Sequence, residues 1–183
     1  MTKSIVTICF LTCLLLAFRP SHAQGIEGSS NSERDSNGHP LVKALSIVNL
    51  EFGGNAGALS MNLYYLTRYR FGLRGGFGLF PGSTTGQPGT SPVILLMPVY
   101  FSPVPKSYFL EWGIGTLFYP NSNYFESWLG THNKSKFLLT AAIGLRYLAE
   151  DGGVSFSLSL TPFIGLRSRV IFPFVGFSIG YSF

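Results

Sequence analysis

The sequence predicts an all-β fold, a transmembrane antiparallel up-and-down β-barrel of eight strands. Its last strands alternate bulky apolar side chains with very small polar ones, as in GVSFSLSL from Gly153 and VGFSIGYSF from Val175. Because successive side chains of a strand point to opposite faces, each of these strands has one apolar face and one small, polar face. Charged residues are only 11% of the chain, whereas a soluble domain has roughly 25%. A lipid-facing surface accounts for both observations.

The first 23 residues have the features of a secretory signal peptide. Lys3 precedes an apolar run from Ile5 to Phe18, and the segment ends in the small-residue site Ser-His-Ala. This order is typical of a segment removed during export, so we predict cleavage after Ala23. The run is too short to span a bilayer. A lipoprotein signal at Cys13 is disfavoured, because the apolar run continues beyond it and the preceding Leu-Thr is a poor lipobox.

The remaining chain divides into a lead-in and a barrel. Both cysteines, Cys9 and Cys13, lie in the signal peptide, so the mature protein is predicted to have no thiol and no disulfide. Residues 24–41 are polar and rich in Gly, Ser and Asn, which predicts a flexible periplasmic lead-in. Residues 42–183 form the predicted outer-membrane barrel, a single domain.

Eight segments of the barrel region have strand character. Each is long enough for the roughly 9–11 residues that a tilted transmembrane strand needs. Six of them alternate cleanly, whereas the first and the fourth look apolar on both faces. The predicted strands cover residues 43–53, 58–69, 71–80, 92–101, 107–119, 136–148, 153–162 and 172–183.

The connections between these strands alternate in length. Short turns follow the second, fourth and sixth strands, and longer loops follow the third, fifth and seventh. Bacterial outer-membrane barrels place their short turns in the periplasm and their longer loops outside. We therefore expect the short turns and both termini on one side, the turn side, and the longer loops on the opposite, loop side.

Aromatic residues are predicted to form two girdles, because their rings favour the headgroup regions of a bilayer. The turn-side girdle holds Tyr69, Phe71, Phe101, Tyr108, Tyr147, Tyr181 and Phe183. The loop-side girdle holds Phe52, Phe80, Phe118, Tyr119, Phe163 and Phe172. A soluble lipocalin-type barrel is the alternative, but it would expose serines and glycines almost without charge. The period of two also disfavours helices.

Four charged residues fall on inward-facing positions and form a predicted lumen polar cluster, namely Arg68, Arg74, Glu111 and Arg146. Buried charges persist only when they are paired. We therefore predict that Glu111 contacts Arg146 on the neighbouring strand, with Arg74 or Arg68 nearby. The expected role is structural, a plug that fills and rigidifies the barrel, and a narrow ion pathway is the alternative.

Several phrases of the barrel region resemble small β-barrel outer-membrane proteins of Bacteroidetes-type bacteria. The phrases are LEFGGNAGALSMNLYY, RFGLRGGFGLFPG, FLEWGIGTLFY, IGLRY, GGVSFSLSLTPFI and FPFVGFSIGYSF. They cover about residues 45–183. The resemblance implies an eight-stranded barrel delivered to the outer membrane. It also implies that Tyr181 and Phe183, at the carboxy terminus, look like the recognition signal for the barrel-assembly machinery. Most members of this group have no assigned activity.

The function expected from these features is a structural or surface-interaction role. Tyr124, Phe125 and Trp128 in the longest loop are candidate contacts for a partner. A lipid A-modifying enzyme at the rim is an alternative, since His132 lies near Ser127, Ser135 and Glu126 in the same loop. A solvated loop histidine is the simpler interpretation, so no catalytic residue is assigned.

No cofactor or metal is expected, because no group of residues has metal-ligand spacing and RFGLRGGFG is strand packing rather than a nucleotide-binding loop. The net charge of +5 comes from scattered basic residues, which disfavours a nucleic-acid partner. The expected partners are outer-membrane lipids, lipopolysaccharide and the assembly machinery, and the expected state is a monomer.

Overall fold

The computed structural model describes residues 45–67, 70–84, 87–104, 107–120, 136–149, 152–165 and 170–183. The signal peptide, the lead-in, Arg68, Tyr69 and the loop that contains His132 lie outside these residues. The described strands are β1 Leu45–Gly53, β2 Leu59–Leu66, β3 Phe71–Thr84, β4 Gln87–Pro103, β5 Tyr108–Phe118, β6 Phe137–Leu148, β7 Gly153–Leu160, β8 Phe163–Gly165, β9 Val170–Phe172 and β10 Val175–Ser182. The described segments include no helix long and apolar enough to cross a membrane.

Eight of these strands close an antiparallel barrel, as predicted. Each of β1 to β6 pairs with the next strand, β7 pairs with β10, and β10 pairs with β1 to complete the ring. The short hairpin of β8 and β9 continues beyond β7 and β10 and pairs with β6. Pro162 and Pro173 stand at the two breaks, where a residue without an N–H cannot extend a ladder.

The two faces of the wall differ as the alternation predicts. Large apolar side chains on the outside are widely exposed, including Ile114 at 65% and Leu158 at 59%. The inward positions of β7 and β10 hold buried small residues, Ser155, Ser157 and Ser178 among them. The apolar surface is therefore on the outside of the barrel, the reverse of a lipocalin-type arrangement.

The two strands that look apolar on both faces differ from each other. In β4 the prediction is confirmed, since Leu95 and Met97 are buried inside while Ile94 and Leu96 are exposed outside. In β1 it is wrong, because Asn49 and Glu51 point inward and are 2% exposed. Ile47, Asn49 and Glu51 are alternate residues of β1 and therefore lie on the same, inner face. This inner face is largely polar, although most residues of β1 are apolar.

The predicted girdles need a correction. Four of their members are buried inside the barrel rather than facing lipid, namely Phe80, Phe101, Tyr119 and Phe163. On β4 this follows from strand parity, because Phe101 shares the inward face with Val99. Phe52, Phe71, Tyr108, Tyr181 and Phe183 are exposed on the outer face.

The connection between β1 and β2 folds into the lumen. We call residues 54–58 the first loop. Its Asn55 and Ala56 are completely buried, and Asn55 contacts β4 and β6 across the barrel. The amide Nδ2 of Asn55 lies 3.6 Å from Met97 Sδ, and the Thr140 hydroxyl lies 3.2 Å from Asn55 Oδ1. The first loop therefore fills part of the barrel at its loop-side end.

The connection between β3 and β4 extends in the opposite direction. The pairing of β2 with β3 ends at Leu79, and the pairing of β4 with β5 ends at Ile94, but β3 and β4 stay paired out to Thr84 and Gln87. We call residues 80–84 and 87–92 the ribbon. The sequence predicts a loop over this stretch, and the structure shows two paired strands instead. Its prolines do not interrupt the ladder between β3 and β4.

Candidate functional site

Four charged side chains from four different strands meet inside the barrel. They are Glu51 on β1, Arg74 on β3, Glu111 on β5 and Arg146 on β6, and each is at most 2% exposed. Each occupies an inward position of its strand, flanked in sequence by outward side chains. The barrel wall therefore brings together residues that lie as many as 95 positions apart in the chain, from 51 to 146.

The four charges alternate in sign along one chain of contacts. Arg74 Nη2 lies 2.5 Å from Glu51 Oε2, Arg74 Nη1 lies 3.7 Å from Glu111 Oε1, and Arg146 Nε lies 2.8 Å from Glu111 Oε2. Two guanidinium groups thus balance two carboxylates. Because an unpaired charge in a dry interior is very costly, this balance is the condition under which the cluster can be buried.

Tyr64 on β2 completes the cluster. Its hydroxyl donates to Glu111 Oε1 at 2.9 Å and accepts from Arg146 Nη2 at 2.8 Å. The ring also lies under both arginines, with the Cζ atoms of Arg146 and Arg74 at 4.6 and 5.3 Å from its centroid. Such cation–π contacts strengthen when water is excluded. Tyr64 is thus a hydrogen-bond partner and an aromatic surface for the same two cations.

The Glu51 end of the cluster has its own polar neighbours. Ser60 Oγ and Asn62 Nδ2 donate to Glu51 Oε2 at 3.1 and 3.3 Å. Arg74 Nε donates to Asn62 Oδ1 at 3.0 Å. Gly54 of the first loop lies directly against Glu51, since a Cβ at that glycine would meet the carboxylate. The first loop therefore rests on the charged cluster.

A smaller hydroxyl network lies on the β7 and β10 side of the lumen. The Ser157 and Ser178 hydroxyls are 2.6 Å apart, and Asn49 Nδ2 donates to Ser178 Oγ at 3.2 Å. These short side chains leave room for the arginines and Tyr64, which reach in from other strands. Large inward side chains on some strands thus lie opposite small ones on others, and together they fill the narrow lumen.

Apolar layers flank the polar centre. On the turn side, the Phe101 ring packs edge-on against Tyr64 and Phe109 at centroid distances of 6.2 and 6.3 Å. On the loop side, Phe80, Phe163 and Phe174 pack against one another at 4.9 to 6.0 Å. The charged cluster is therefore enclosed between two aromatic layers within the described part of the barrel.

The structure brings together three of the four residues in the predicted cluster. Arg74, Glu111 and Arg146 meet, and the predicted contact between Glu111 and Arg146 is present. Arg68 lies outside the described residues. Glu51 and Tyr64 were not among the predicted members of the cluster. Each lies two positions from a polar residue on the same inward face of its strand, Asn49 for Glu51 and Asn62 for Tyr64. This alternation was the feature of the sequence that could have identified them.

Chemically, the cluster is suited to holding strands together. Each carboxylate accepts from at least one arginine. Among the described residues, no group of His, Cys, Asp and Glu side chains could hold a metal ion. The candidate catalytic loop with His132, Ser127, Ser135 and Glu126 lies outside the described residues, as do Tyr124, Phe125 and Trp128.

The two residues of the predicted assembly signal lie at the closing seam. Tyr181 and Phe183 are 52% and 58% exposed on the outer face, and their ring centroids are 5.1 Å apart. Tyr181 is opposite Val48 of β1, and the N–H of Phe183 donates to the Ser46 carbonyl at 2.9 Å. Both rings thus lie on the outside of the β1–β10 pair, at the turn side.

Comparison with known proteins identifies the fold. No protein-family model and no curated protein matches the chain. The N-terminal β-barrel domain of OprF from Pseudomonas aeruginosa matches with a TM-score of 0.51 and 14% identity, over 77% of this chain and 98% of that domain. Ail from Yersinia pestis, in a phospholipid bilayer nanodisc, matches with a TM-score of 0.51 and 12% identity, over 77% of this chain and 100% of Ail. The chain therefore has the fold of small eight-stranded outer-membrane barrels.

Proposed function

We propose that this protein is an integral outer-membrane β-barrel with a structural or surface-interaction role. One observation carries the proposal: large apolar side chains cover the outside, while charges are paired inside. A continuous apolar exterior of this kind is unfavourable in water and suits a bilayer. A closed barrel also satisfies its backbone hydrogen bonds internally, which is required of any structure that spans a membrane.

The enclosed cluster supports a structural role for the lumen rather than an ion pathway. Its contacts join β1, β2, β3, β5 and β6, so it links strands that are not neighbours in the ring. Glu111 alone contacts Arg74, Arg146 and Tyr64. The aromatic layers on both sides separate the cluster from the two barrel ends. A rigid, filled cylinder is the expected result.

The surface-interaction part of the proposal is supported by the ribbon. It extends past the barrel pairing on the loop side, which is the outer side in bacterial barrels. The aromatic residues Tyr124, Phe125 and Trp128 remain further candidates for partner contacts in the longest loop. The proposed environment is outer-membrane lipid and lipopolysaccharide, and the proposed state is a monomer. The rim-enzyme alternative depends on His132, which lies outside the described residues.

The proposed route to the membrane begins with export and cleavage after Ala23. The lead-in of residues 24–41 would then lie in the periplasm. Tyr181 and Phe183 are proposed to be recognised by the barrel-assembly machinery, and their exposure beside the closing seam suits recognition before the seam forms. The quoted phrases further support a relationship to the small barrels of Bacteroidetes-type bacteria.

A charge on the outer face tests the membrane placement. Leu158 is 59% exposed at a central position of β7. Leu158→Arg should reduce the free energy of folding into lipid vesicles by about 2–4 kcal/mol, the usual cost of Arg at a bilayer midplane. The measurement is urea unfolding in vesicles, together with recovery of the protein in the outer-membrane fraction. Leu158→Met is the matched control, and equal stability of the two variants would contradict a lipid-facing position.

A further inference from the structure

The ribbon has two backbone edges with which no described strand of the barrel pairs. Beyond Leu79 on β3 and before Ile94 on β4, the two strands pair only with each other among the described ladders. Exposed strand edges are templates on which another chain can add a strand. A ribbon outside the barrel is therefore a place where two copies of this protein would pair, unless its edges lack donors.

Two hydrogen bonds show which residues face these edges. The N–H of Phe101 donates to the Arg70 carbonyl at 2.9 Å, so odd-numbered residues of β4 bond to β3. The N–H of Ala58 donates to the Leu79 carbonyl at 3.0 Å, so odd-numbered residues of β3 bond to the β2 side. Antiparallel strands alternate their bonding direction from residue to residue. The backbone N–H and C=O groups of even-numbered residues of β4 therefore point away from β3.

This alternation places all the prolines of the ribbon on its free edges. The backbone groups of Pro81 and Ser83 point away from β4, to the free edge of β3. Those of Pro88, Thr90 and Pro92 point away from β3, to the free edge of β4. Three of these five positions lack an N–H. The positions whose backbone groups bond β3 to β4 contain no proline, so the ladder between the two strands is complete. Proline in a sheet is tolerated only where it does not have to donate.

We infer that Pro81, Pro88 and Pro92 prevent a second copy of this chain from adding a strand to the ribbon. Among the described ribbon residues, a partner strand at the β4 edge would find only the Thr90 N–H as a donor, and one at the β3 edge would find only that of Ser83. Both edges keep their carbonyl acceptors, but three of the five donor positions lack an N–H, so a partner strand would form fewer hydrogen bonds than at an ordinary edge. The ribbon thus remains a two-stranded element on a monomeric barrel.

The test is to restore the missing donors. The triple variant Pro81→Thr, Pro88→Thr, Pro92→Thr supplies three N–H groups from a residue that favours strands. We expect the dimer association constant, measured by sedimentation in detergent micelles, to rise about tenfold or more. A disulfide through an added Thr90→Cys locates the contact, because both native cysteines lie in the predicted signal peptide.

Pro98→Thr is the matched control. Pro98 also has even parity on β4, but it lies in the barrel between positions paired with β5, so its substitution exposes no edge. A heat-shifted band on a gel verifies that each variant is folded. If the triple variant does not fold, Pro88→Thr alone decides, because it lies in the outermost part of the ribbon. A folded edge variant that stays monomeric, or equal dimer formation by Pro98→Thr, would overturn the inference.

Discussion

Two loop-side connections of this barrel take opposite directions. The first loop turns into the lumen, where Asn55 and Ala56 are completely buried. The ribbon instead continues β3 and β4 away from the barrel. Both connections are rich in glycine and uncharged. Composition therefore does not decide the direction, and the reason lies in individual positions.

The first loop turns inward because the facing strand leaves it space. Gly78 on β3 points into the lumen, and a Cβ there would overlap the carbonyl oxygen of Ala56. Gly57 has φ of 111°, a conformation that L side chains rarely adopt. Asn55 then reaches acceptors and donors across the barrel. In the ribbon, cross-strand pairing continues instead, so the chain stays extended.

Breaking the charge beneath the first loop should have the largest effect. Glu51→Gln leaves Arg74 with Glu111, at 3.7 Å, as its remaining carboxylate partner among the described residues. Removing one partner of a buried ion pair typically costs about 3–5 kcal/mol, since the other charge stays buried. We expect a loss of that size in the free energy of unfolding, measured with urea in lipid vesicles. The same variant should speed maleimide labelling of an added Ala56→Cys, because the loop rests on Glu51.

The control for this prediction removes both charges. Glu51→Gln combined with Arg74→Met leaves no unpaired guanidinium, so at least half of the lost stability should return. If Glu51→Gln unfolds at the wild-type urea concentration, the carboxylate does not hold Arg74. Unchanged labelling at residue 56 would mean that the first loop is independent of the cluster.

A methyl group on the facing strand should have an intermediate effect. Gly78→Ala places its Cβ against the Ala56 carbonyl and the Ser60 side chain. Overpacking of this kind costs about 1–3 kcal/mol, and the loop is the part able to move. We expect faster labelling at residue 56 and a lower unfolding midpoint. Gly75→Ala is the control, because a Cβ at Gly75 meets nothing within 4 Å. Equal effects of the two variants would show that the space beside Gly78 does not hold the first loop.

Sequence alternation predicted the barrel wall well where the two faces differ chemically. In β7, serines and bulky apolar residues exchange at every step, so parity is visible in the sequence. In β4, Leu95 and Leu96 are alike, although one is 1% and the other 54% exposed. The inner face of β4 is apolar and belongs to the buried hydrophobic cluster of the lumen. Which face is inward then follows from pairing with neighbouring strands and not from composition.

The site was only partly predictable for a related reason. Arg74, Glu111 and Arg146 lie among glycines and apolar residues, so their inward charge is conspicuous in the sequence. Glu51 stands close to the end of β1, and Tyr64 resembles the lipid-facing Tyr65 beside it. Their roles depend on which side chains cross a narrow lumen. The direction of the first loop likewise depends on Gly78, a residue more than 20 positions away.

The smallest expected effect comes from the hydroxyl that contacts the first loop. Thr140→Val keeps the shape of the side chain but removes the hydroxyl, which lies 3.2 Å from Asn55 Oδ1 and 3.1 Å from the Pro162 carbonyl. One buried hydrogen bond contributes about 1 kcal/mol, so the unfolding midpoint in urea should fall slightly. Labelling at residue 56 should rise less than in Gly78→Ala, since the contact of Asn55 with Met97 remains.

The matched control makes the same substitution on the lipid-facing side. Thr116 is exposed on the outside of β5, the strand next to β6, so Thr116→Val removes a hydroxyl from lipid and should not lower stability. A loss in Thr116→Val as large as in Thr140→Val would show that the effect belongs to strand propensity. A loss confined to Thr140→Val, with faster labelling at residue 56, would show that one hydroxyl on β6 helps to hold the first loop inside, while the ribbon needs no such contact.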